Sequence, residues 1–550
     1  MSLQAQESYR VPETTAQVAR TIFPHGNLVM RMYDEFEALY RDPVFADLYP
    51  AVGQPAAAPF RLAFVTLLQF MEGLTDRQAA EAVRTRIDWK YLLCLELDDR
   101  GFDHTVLSEF RTRLLTHEAE SRLFDAILAW AQDRKLLQAG GRQRTDSTHV
   151  LGTVRMLTRI EVVAETLRHT LLTLATEAPD WLRTQISAAW VERYEARASE
   201  YRLPKSKTKR LAWANQVGTD GMALLSAVYA DGATSALRCL PAVEILRQVW
   251  IQNYTMSGGQ LIYRDNDNLP PAGRYISSPY DTAVRYATKR TTVWTGFKVH
   301  VTESCDDERP NLITNVETTS ATVADDAVTT SIHAALAESD LLPAQHIADT
   351  GYVNSELLVS TQRDYGIDLV GPTRNDNGWQ AKLGAGYAAA DFDFDWERKQ
   401  ATCPMCKTSI SWSPAVDRFK NQVIKIKFGT TDCQPCPSRN LCTRASPPRR
   451  TITVRPQAQH EALLEGRQRM KTEQFATTYK VRAGIEGTIA QATRSCDVRH
   501  ARYVGDKRTH LQHLMTAAAL NIVRILRWLA GEPKAASRPN ALALLYQPTA

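Results

Sequence analysis

Three acidic residues occupy positions from which carboxylates could converge on one point. Asp146 lies inside a short β-compatible stretch, Arg142-Gln143-Arg144-Thr145-Asp146-Ser147-Thr148-His149-Val150. Asp349 closes His346-Ile347-Ala348-Asp349 just before a turn at Gly351, and Glu486 falls in a late helical segment. Around Glu486 the side chains of Tyr479, Arg482 and Glu486 are three and then four residues apart, so at helical spacing a phenol, a guanidinium and a carboxylate share one face. A second stripe, Val481, Ile485, Ile489 and Ala492, would seat that helix on a core. Each feature has an ordinary explanation: an Asp at a strand end caps a turn, and an exposed Arg–Glu pair is worth only about 0.3–0.5 kcal/mol. Together, on strand, strand and helix, the three acids match what two-metal phosphoryl transfer requires. Two divalent cations roughly 3.5–4 Å apart need carboxylates from separate elements, one ion activating the attacking oxygen and the other stabilising the leaving 3′ oxygen.

The elements that must position these acids can be read in outline. Helices are expected over 62–71, 75–91 (with Thr75 as cap), 105–116 and 119–135, separated by linkers containing Gly73, Gly101 and Asp103. Basic residues opposite an apolar face in 76–84 and 108–115 suit either a helical DNA reader or any helical bundle. After the Asp146 strand comes a helical block, 155–175, 181–201 and 242–254, broken by the basic segment 204–210 and read as an insertion. A polar, proline-containing connection, 269–289, leads back to β-type sequence. Strands are expected over 292–301 and 311–318 as a hairpin, then at 346–349 and 367–372, with helices over 324–338 and 354–363 between them. That order describes a mixed sheet with helices on its faces.

With 550 residues, 44% hydrophobic and 23% charged, the chain has the composition of a globular protein of several domains. No apolar run approaches the roughly 18 residues that span a bilayer. The first residues lack a basic segment followed by an apolar one, so a cytoplasmic location and no membrane partner are expected. The net charge of +5 says little by itself; local clusters say more. Between Arg439 and His460 there are five arginines, including Arg449 and Arg450, and no acid. A second cluster after Glu486 holds Arg494, Arg499 and Arg502. Two basic runs bracketing Glu486 suit a polyanion track.

About a hundred residues separate the strand at 367–372 from the Glu486 helix, too many for a loop. Alternating segments such as 392–396 and 422–428 make this a mostly β module, and it holds five of the nine cysteines. Cys403-Pro404-Met405-Cys406 and Cys433-Gln434-Pro435-Cys436, with Cys442 beyond, have the spacing of a tetrahedral thiolate site for structural Zn²⁺. Cys403, Cys433, Cys436 and Cys442 form the preferred set, with Cys406 the alternate and reduced, buried cysteines the competing explanation.

On these motifs the chain resembles the bacterial insertion-sequence DDE transposases, whose catalytic core is ribonuclease H-like. Thr145-Asp146-Ser147-Thr148 is similar to the family's first-acid motif and Asp349-Thr350-Gly351-Tyr352 to its second. Tyr479, Arg482 and Glu486 match the first three members of the Y-x2-R-x3-E-x6-K signature; the lysine position holds Thr493, with Arg494 next to it. The resemblance implies an α/β fold: a helical N-terminal domain (1–140), a core split into 141–151, 291–372 and 475–530, a helical insertion (152–290), a mostly β insertion (373–474) and a loose tail (531–550). It implies Asp146, Asp349 and Glu486 as catalytic ligands of two Mg²⁺ ions, for which Mn²⁺ can substitute. Tyr479 and Arg482 would hold a DNA end, and Trp379 in the β insertion would stack on a displaced base. The implied partners are double-stranded DNA, as terminal inverted repeats and target, and a second copy of the chain in a synaptic complex in the bacterial nucleoid. The implied activity is metal-dependent phosphodiester cleavage and strand transfer. The alternatives are a catalytically silent DNA-binding derivative and a two-metal nuclease without strand transfer.

Overall fold

The computed structural model describes residues 2–39, 41–199 and 203–534. At its centre is a six-stranded sheet: β1 (Arg142–Leu151), β2 (Arg285–Lys289), β3 (Thr292–Ser304), β4 (Ile313–Ser320), β5 (Gln345–Ala348) and β6 (Asp368–Val370). The order across the sheet is β4-β3-β1-β5-β6, with β2 paired to the start of β3. β3 runs antiparallel to β1, β2 and β4, whereas β5 runs parallel to both β1 and β6. Three antiparallel strands continued by two parallel ones, with helices on the faces, make a ribonuclease H-like mixed α/β core.

Helices Glu13–Ile22, Leu28–Phe36, Pro59–Glu72, Thr105–Thr116 and Arg122–Asp133 precede the sheet. The apolar faces of the last four join the long C-terminal helix, Asp506–Leu529, and sheet residues such as Val299 and Ile313 in one continuous core, while Ala19 of the first packs with Met30 and Tyr91. The helix expected over 75–91 is two helices, Asp76–Thr85 and Ile87–Leu92. Thr75 caps the first through a reciprocal bond pattern with Gln78. The break comes at Arg86, which leaves helical geometry while its guanidinium grips Asp88 at 2.6 Å. In the suspected DNA-reading helices much of the basic charge is engaged internally. Arg111 pairs with Asp76 at 2.5 Å, and Arg113 bonds the Leu48 carbonyl and covers Tyr49; Arg77 stays exposed.

The helical insertion has its own core, built from Val163, Leu167, Leu224, Leu246 and Trp250 among others. It contains a helix absent from the sequence expectation, Lys207–Val228. The segment 204–210 therefore begins a helix instead of breaking one: Ser206 accepts the Lys209 N–H as N-cap. The connection expected over 269–289 ends in a strand, β2, and the helix expected over 324–338 begins with the 3₁₀ turn Asp325–Val328 before Thr329–Glu338. The β insertion holds a three-stranded sheet, Ser409–Val416, Gln422–Phe428 and Thr451–Val454, and a two-stranded one. Its core is small: Phe392, Ala401, Ile426, Phe428, Ile452 and Val454. Of the tail expected over 531–550, residues 535–550 lie outside the described residues. Among the described residues, no helix is long and apolar enough to cross a membrane.

Candidate active site

Strand register brings the first two acids together. β1 and β5 are parallel, and their last paired positions are Thr145 and Ala348. Asp146 and Asp349 are each the next residue, so they lie side by side where β5 ends while β1 runs on to Leu151. Each carboxylate is aimed by a backbone N–H: Ser147 N–H donates to Asp146 Oδ1 at 2.8 Å and Gly351 N–H to Asp349 Oδ1 at 2.7 Å. Space at the glycine is tight: a Cβ there would lie 2.9 Å from Asp349 Oδ1 and 3.1 Å from Asp325 Oδ2, so it would displace one of these carboxylates. Tyr352, fully buried, anchors the turn through a 2.6 Å bond between its hydroxyl and His300 Nδ1.

Alternation along β1 sends Arg144, Asp146 and Thr148 to one face, and each meets a different part of the late helical segment. Arg144 faces Glu303 directly across β3, and the pair is buried at 2.6 Å. Arg144 Nη1 also donates to the Val481 carbonyl at 2.6 Å. Glu303 in turn accepts from Arg524 at 2.8 Å and from the Thr488 hydroxyl at 2.6 Å. This network of charge-assisted bonds pins the Glu486 helix to the sheet. A Cβ on Gly484 would sit 2.1 Å from Arg144 Nη1, so only glycine lets the helix start this close.

The expected single helix through Tyr479, Arg482 and Glu486 is interrupted. Glu473–Lys480 is α-helical, Val481–Ala483 is a 3₁₀ turn, and Gly484–Cys496 resumes the α-helix. The bond from Arg144 draws the Val481 carbonyl toward the sheet at that turn. The turn carries Arg482 back over β1, where its guanidinium lies between two acids: Nη1 to Asp146 Oδ2 at 2.9 Å and Nη2 to Glu486 Oε1 at 2.6 Å. The sequence suggested the Glu486 pair, whereas the Asp146 pair is visible only in the fold. Asp146 is mostly covered and Glu486 is 61% exposed. Burial pushes the Asp146 carboxyl above its ordinary range and the Asp349 charge adds to this, opposed by the Ser147 N–H and by Arg482.

Two clefts share Asp146, Ser147, Thr148 and Glu486 in their linings. One, about 350 Å³, is lined by Asp146, Asp349, Arg482 and Glu486 together with His149, Lys289, Arg290, Trp294 and Lys298. The other, about 400 Å³, is lined by Asp146, Glu486, Thr493, Arg494 and Arg499 among others. Arg499 is tied to β1 by a 2.9 Å bond to the Thr148 hydroxyl, and Arg494 is exposed. Tyr479 stacks on Phe475 with centroids 5.5 Å apart, 5.8 Å from the Arg482 guanidinium carbon.

Other basic candidates are used structurally. Arg502 bonds the Leu74 carbonyl and covers Phe70, joining the end of the core to the N-terminal helices. Arg450 bonds the carbonyls of Cys442 and Tyr387 inside the β insertion. Arg449 is exposed there. The Trp379 ring lies under the Arg444 guanidinium at 4.1 Å. Sequence reasoning missed Arg144, Glu303 and Arg524, although charges inside otherwise apolar strands and helices were a signal for buried pairing. It also missed Lys289 and Arg290, adjacent cations between two β-type runs.

In the β insertion, Cys403, Cys433, Cys436 and Cys442 line one small cavity of about 30 Å³, and Cys406 is exposed outside it. The Lys407 and Arg450 N–H groups donate to Cys403 and Cys433 Sγ, both at 3.4 Å. Burial and the neighbouring sulfurs push the Cys442 thiol up to about 11, against the Arg450 charge. Among the described residues no group of three or more His, Cys, Asp or Glu side chains is arranged to hold a metal ion.

Residues 402–526, which include the cysteines and Glu486, match a family model described as a transposase DDE domain. Residues 18–113 match a second, described as a transposase domain (DUF772). These two matches support a DDE transposase family. Neither reaches Asp146 or Asp349, which join the matched Glu486 only through the geometry above. No curated protein matches the chain.

Proposed function

We propose that this chain is an insertion-sequence transposase that binds the terminal inverted repeats of its element as a dimer and cleaves and joins DNA at Asp146, Asp349 and Glu486. The observation that carries this reading is the adjacency of Asp146, midway along β1, and Asp349, just past the end of parallel β5, with Glu486 joined to Asp146 through Arg482. The donor chemistry fits divalent cations such as Mg²⁺ or Mn²⁺: the acids are hard oxygen ligands, and a cationic side chain already lies between two of them. When bound, such ions supply activation of the attacking oxygen and stabilisation of the leaving one. The protein's own contribution is placement. Backbone N–H groups fix one oxygen of Asp146 and of Asp349, while the Arg144–Glu303–Arg524 network holds the third acid's helix against the sheet. Asp146, Asp349 and Glu486 would hold such ions; Arg482, paired here with Asp146 and Glu486, can instead take a DNA phosphate bidentately, which would free both carboxylates. Arg494 and Arg499 then face the backbone in the second cleft.

We also propose that Cys403, Cys433, Cys436 and Cys442 hold a structural Zn²⁺. Four sulfurs around one cavity, two of them accepting backbone N–H bonds, suit thiolates that need a cation to coexist.

The test of the main reading is incubation of the purified protein with DNA carrying the ends of its own element and Mg²⁺. Cleavage at the 3′ ends followed by joining to a second DNA is expected. Binding without cleavage would instead favour a silent DNA-binding protein, and cleavage without joining a nuclease.

A further inference from the structure

The wall of the first cleft is a β-hairpin that neither family match covers. β2 and β3 pair from Arg285–Gly296 to Lys289–Thr292, and Arg290, at a left-handed φ of 57°, turns the chain at the tip. Register places Ala287, Lys289, Thr292 and Trp294 on one face of this ribbon. Three of those four, with Arg290, line the cleft that holds Asp146 and Asp349. The ribbon has a firm base: Trp294 is buried, its indole N–H donates to the Phe297 carbonyl at 3.0 Å, and His149 packs against its ring.

The cations on this wall differ in how far they are committed. Lys298 is spent on the Val323 carbonyl at 2.6 Å and on Asp325 at 2.9 Å. Lys289 is exposed and reaches the same Asp325 only at 3.7 Å. Arg290 is exposed and, among the described residues, forms no ion pair or hydrogen bond. Two adjacent cations, one held only loosely by a carboxylate and the other unpaired, leave positive charge at the rim of the cleft that a polyanion can neutralise. The cleft that shares Asp146 and Glu486 with this one is lined by Arg494 and Arg499, each with one hydrogen bond among the described residues, to the Ala490 carbonyl and the Thr148 hydroxyl.

We propose that Lys289 and Arg290 form a second phosphate grip, so that one DNA strand crosses the acids with its backbone held on both sides of the reacting phosphate. The inference rests on the transposase reading of this cleft and adds the path of the strand through it. The hairpin contacts phosphates and not base edges, because its cations sit at a turn with no long side chain beyond them to enter a groove.

The experiment measures affinity for a fluorescent duplex of arbitrary sequence as a function of salt. It compares the wild type with Lys289→Ala/Arg290→Ala, the charge-conserving Lys289→Arg/Arg290→Lys, and Arg183→Ala/Arg247→Ala. The last removes the same net charge from paired arginines on the helical insertion. The alanine pair at the hairpin is expected to weaken binding by roughly one to two orders of magnitude near physiological salt and to flatten the slope of log affinity against log salt by about two. The charge-conserving pair should keep the wild-type slope, and an unchanged thermal midpoint shows that the fold is intact. A wild-type slope in Lys289→Ala/Arg290→Ala, or an equal loss in the insertion control, overturns the hairpin's role and leaves the transposase reading standing. A wild type with no salt-sensitive DNA binding overturns the transposase reading itself.

Discussion

The acidic cleft and the cysteine module are organised in opposite ways. Around the cleft, position comes from a large sheet and a buried ionic network, and the reactive groups are added on top: Asp146 lies on and Asp349 just past strands already paired, and Glu486 is exposed at a helix start. The module has six buried residues in its core, too few to stabilise some eighty residues by hydrophobic burial alone. There the reactive groups, the cysteines, lie within the packing itself, with Cys403, Cys433 and Cys442 against that core. The acids should therefore be separable from the fold, and the cysteines should not.

The largest expected effect tests the first half of that contrast. Asp146→Ala, Asp349→Ala and Glu486→Ala should each bring cleavage below detection while DNA binding, which comes from Lys and Arg, stays near wild type. Stability should not fall with activity. The Asp146 carboxyl has a folded pKa above its unfolded one, so the folded state loses stability as pH rises through that interval, and the neutral Asp146→Asn should melt at or above the wild-type temperature. A variant of any of the three acids that cleaves at the wild-type rate removes that acid from the site.

Next in size is the support beneath the cleft. Glu303→Ala leaves Arg144 and Arg524 buried with no counter-charge, an expected loss of about 3–5 kcal/mol in chemical denaturation. A loss under 1 kcal/mol would mean that the network is not what holds the helix. In the module, Cys433→Ala should abolish bound zinc, measured by metal analysis after dialysis against a weak chelator, and expose residues 373–456 to protease while the sheet stays protected. If the wild type retains less than a few tenths of an equivalent of zinc, the metal reading of the cysteines is wrong.

Acid should also separate the regions, because the buried histidines lie in the core beside the cleft. Burial pulls His300 and His333 from 6.5 down to about 4. A depressed folded pKa means stability that is fully present above about pH 6.5 and is lost as pH falls toward 4. Thermal midpoints of the sheet should drop across that window. His300→Gln should shrink the drop, and the module, whose His460 is lowered less far, should respond weakly. The smallest effect concerns Arg482. If it meets a phosphate in the complex, Arg482→Ala flattens the salt slope of binding by about one; if its only role is the pairing seen here, the slope is unchanged and the effect is confined to stability.

Local pattern was enough for much of this protein. Alternation and helical period placed β1, β3, β4 and helices such as Arg159–Glu177 and Thr105–Thr116 within a few residues, because those signals depend only on which side of an element is buried, but missed Lys207–Val228. Thr145-Asp146, Asp349-Thr350-Gly351-Tyr352 and the Tyr479, Arg482, Glu486 spacing marked the site for a similar reason, since each is fixed by the turn or helix that carries it. What the sequence could not decide was which charges meet. Arg482 and Asp146 are 336 residues apart, and whether they touch depends on strand register and on a 3₁₀ turn drawn in by Arg144. The same holds for other cations: Arg450 and Arg502 read as part of a polyanion track and are spent on backbone carbonyls, whereas Lys289 read as the end of a connection, Arg290 fell between it and the next strand, and both line the cleft. A side chain's type is local, but its available charge depends on the partners it finds, and in a chain folded around a sheet those partners come from anywhere along it.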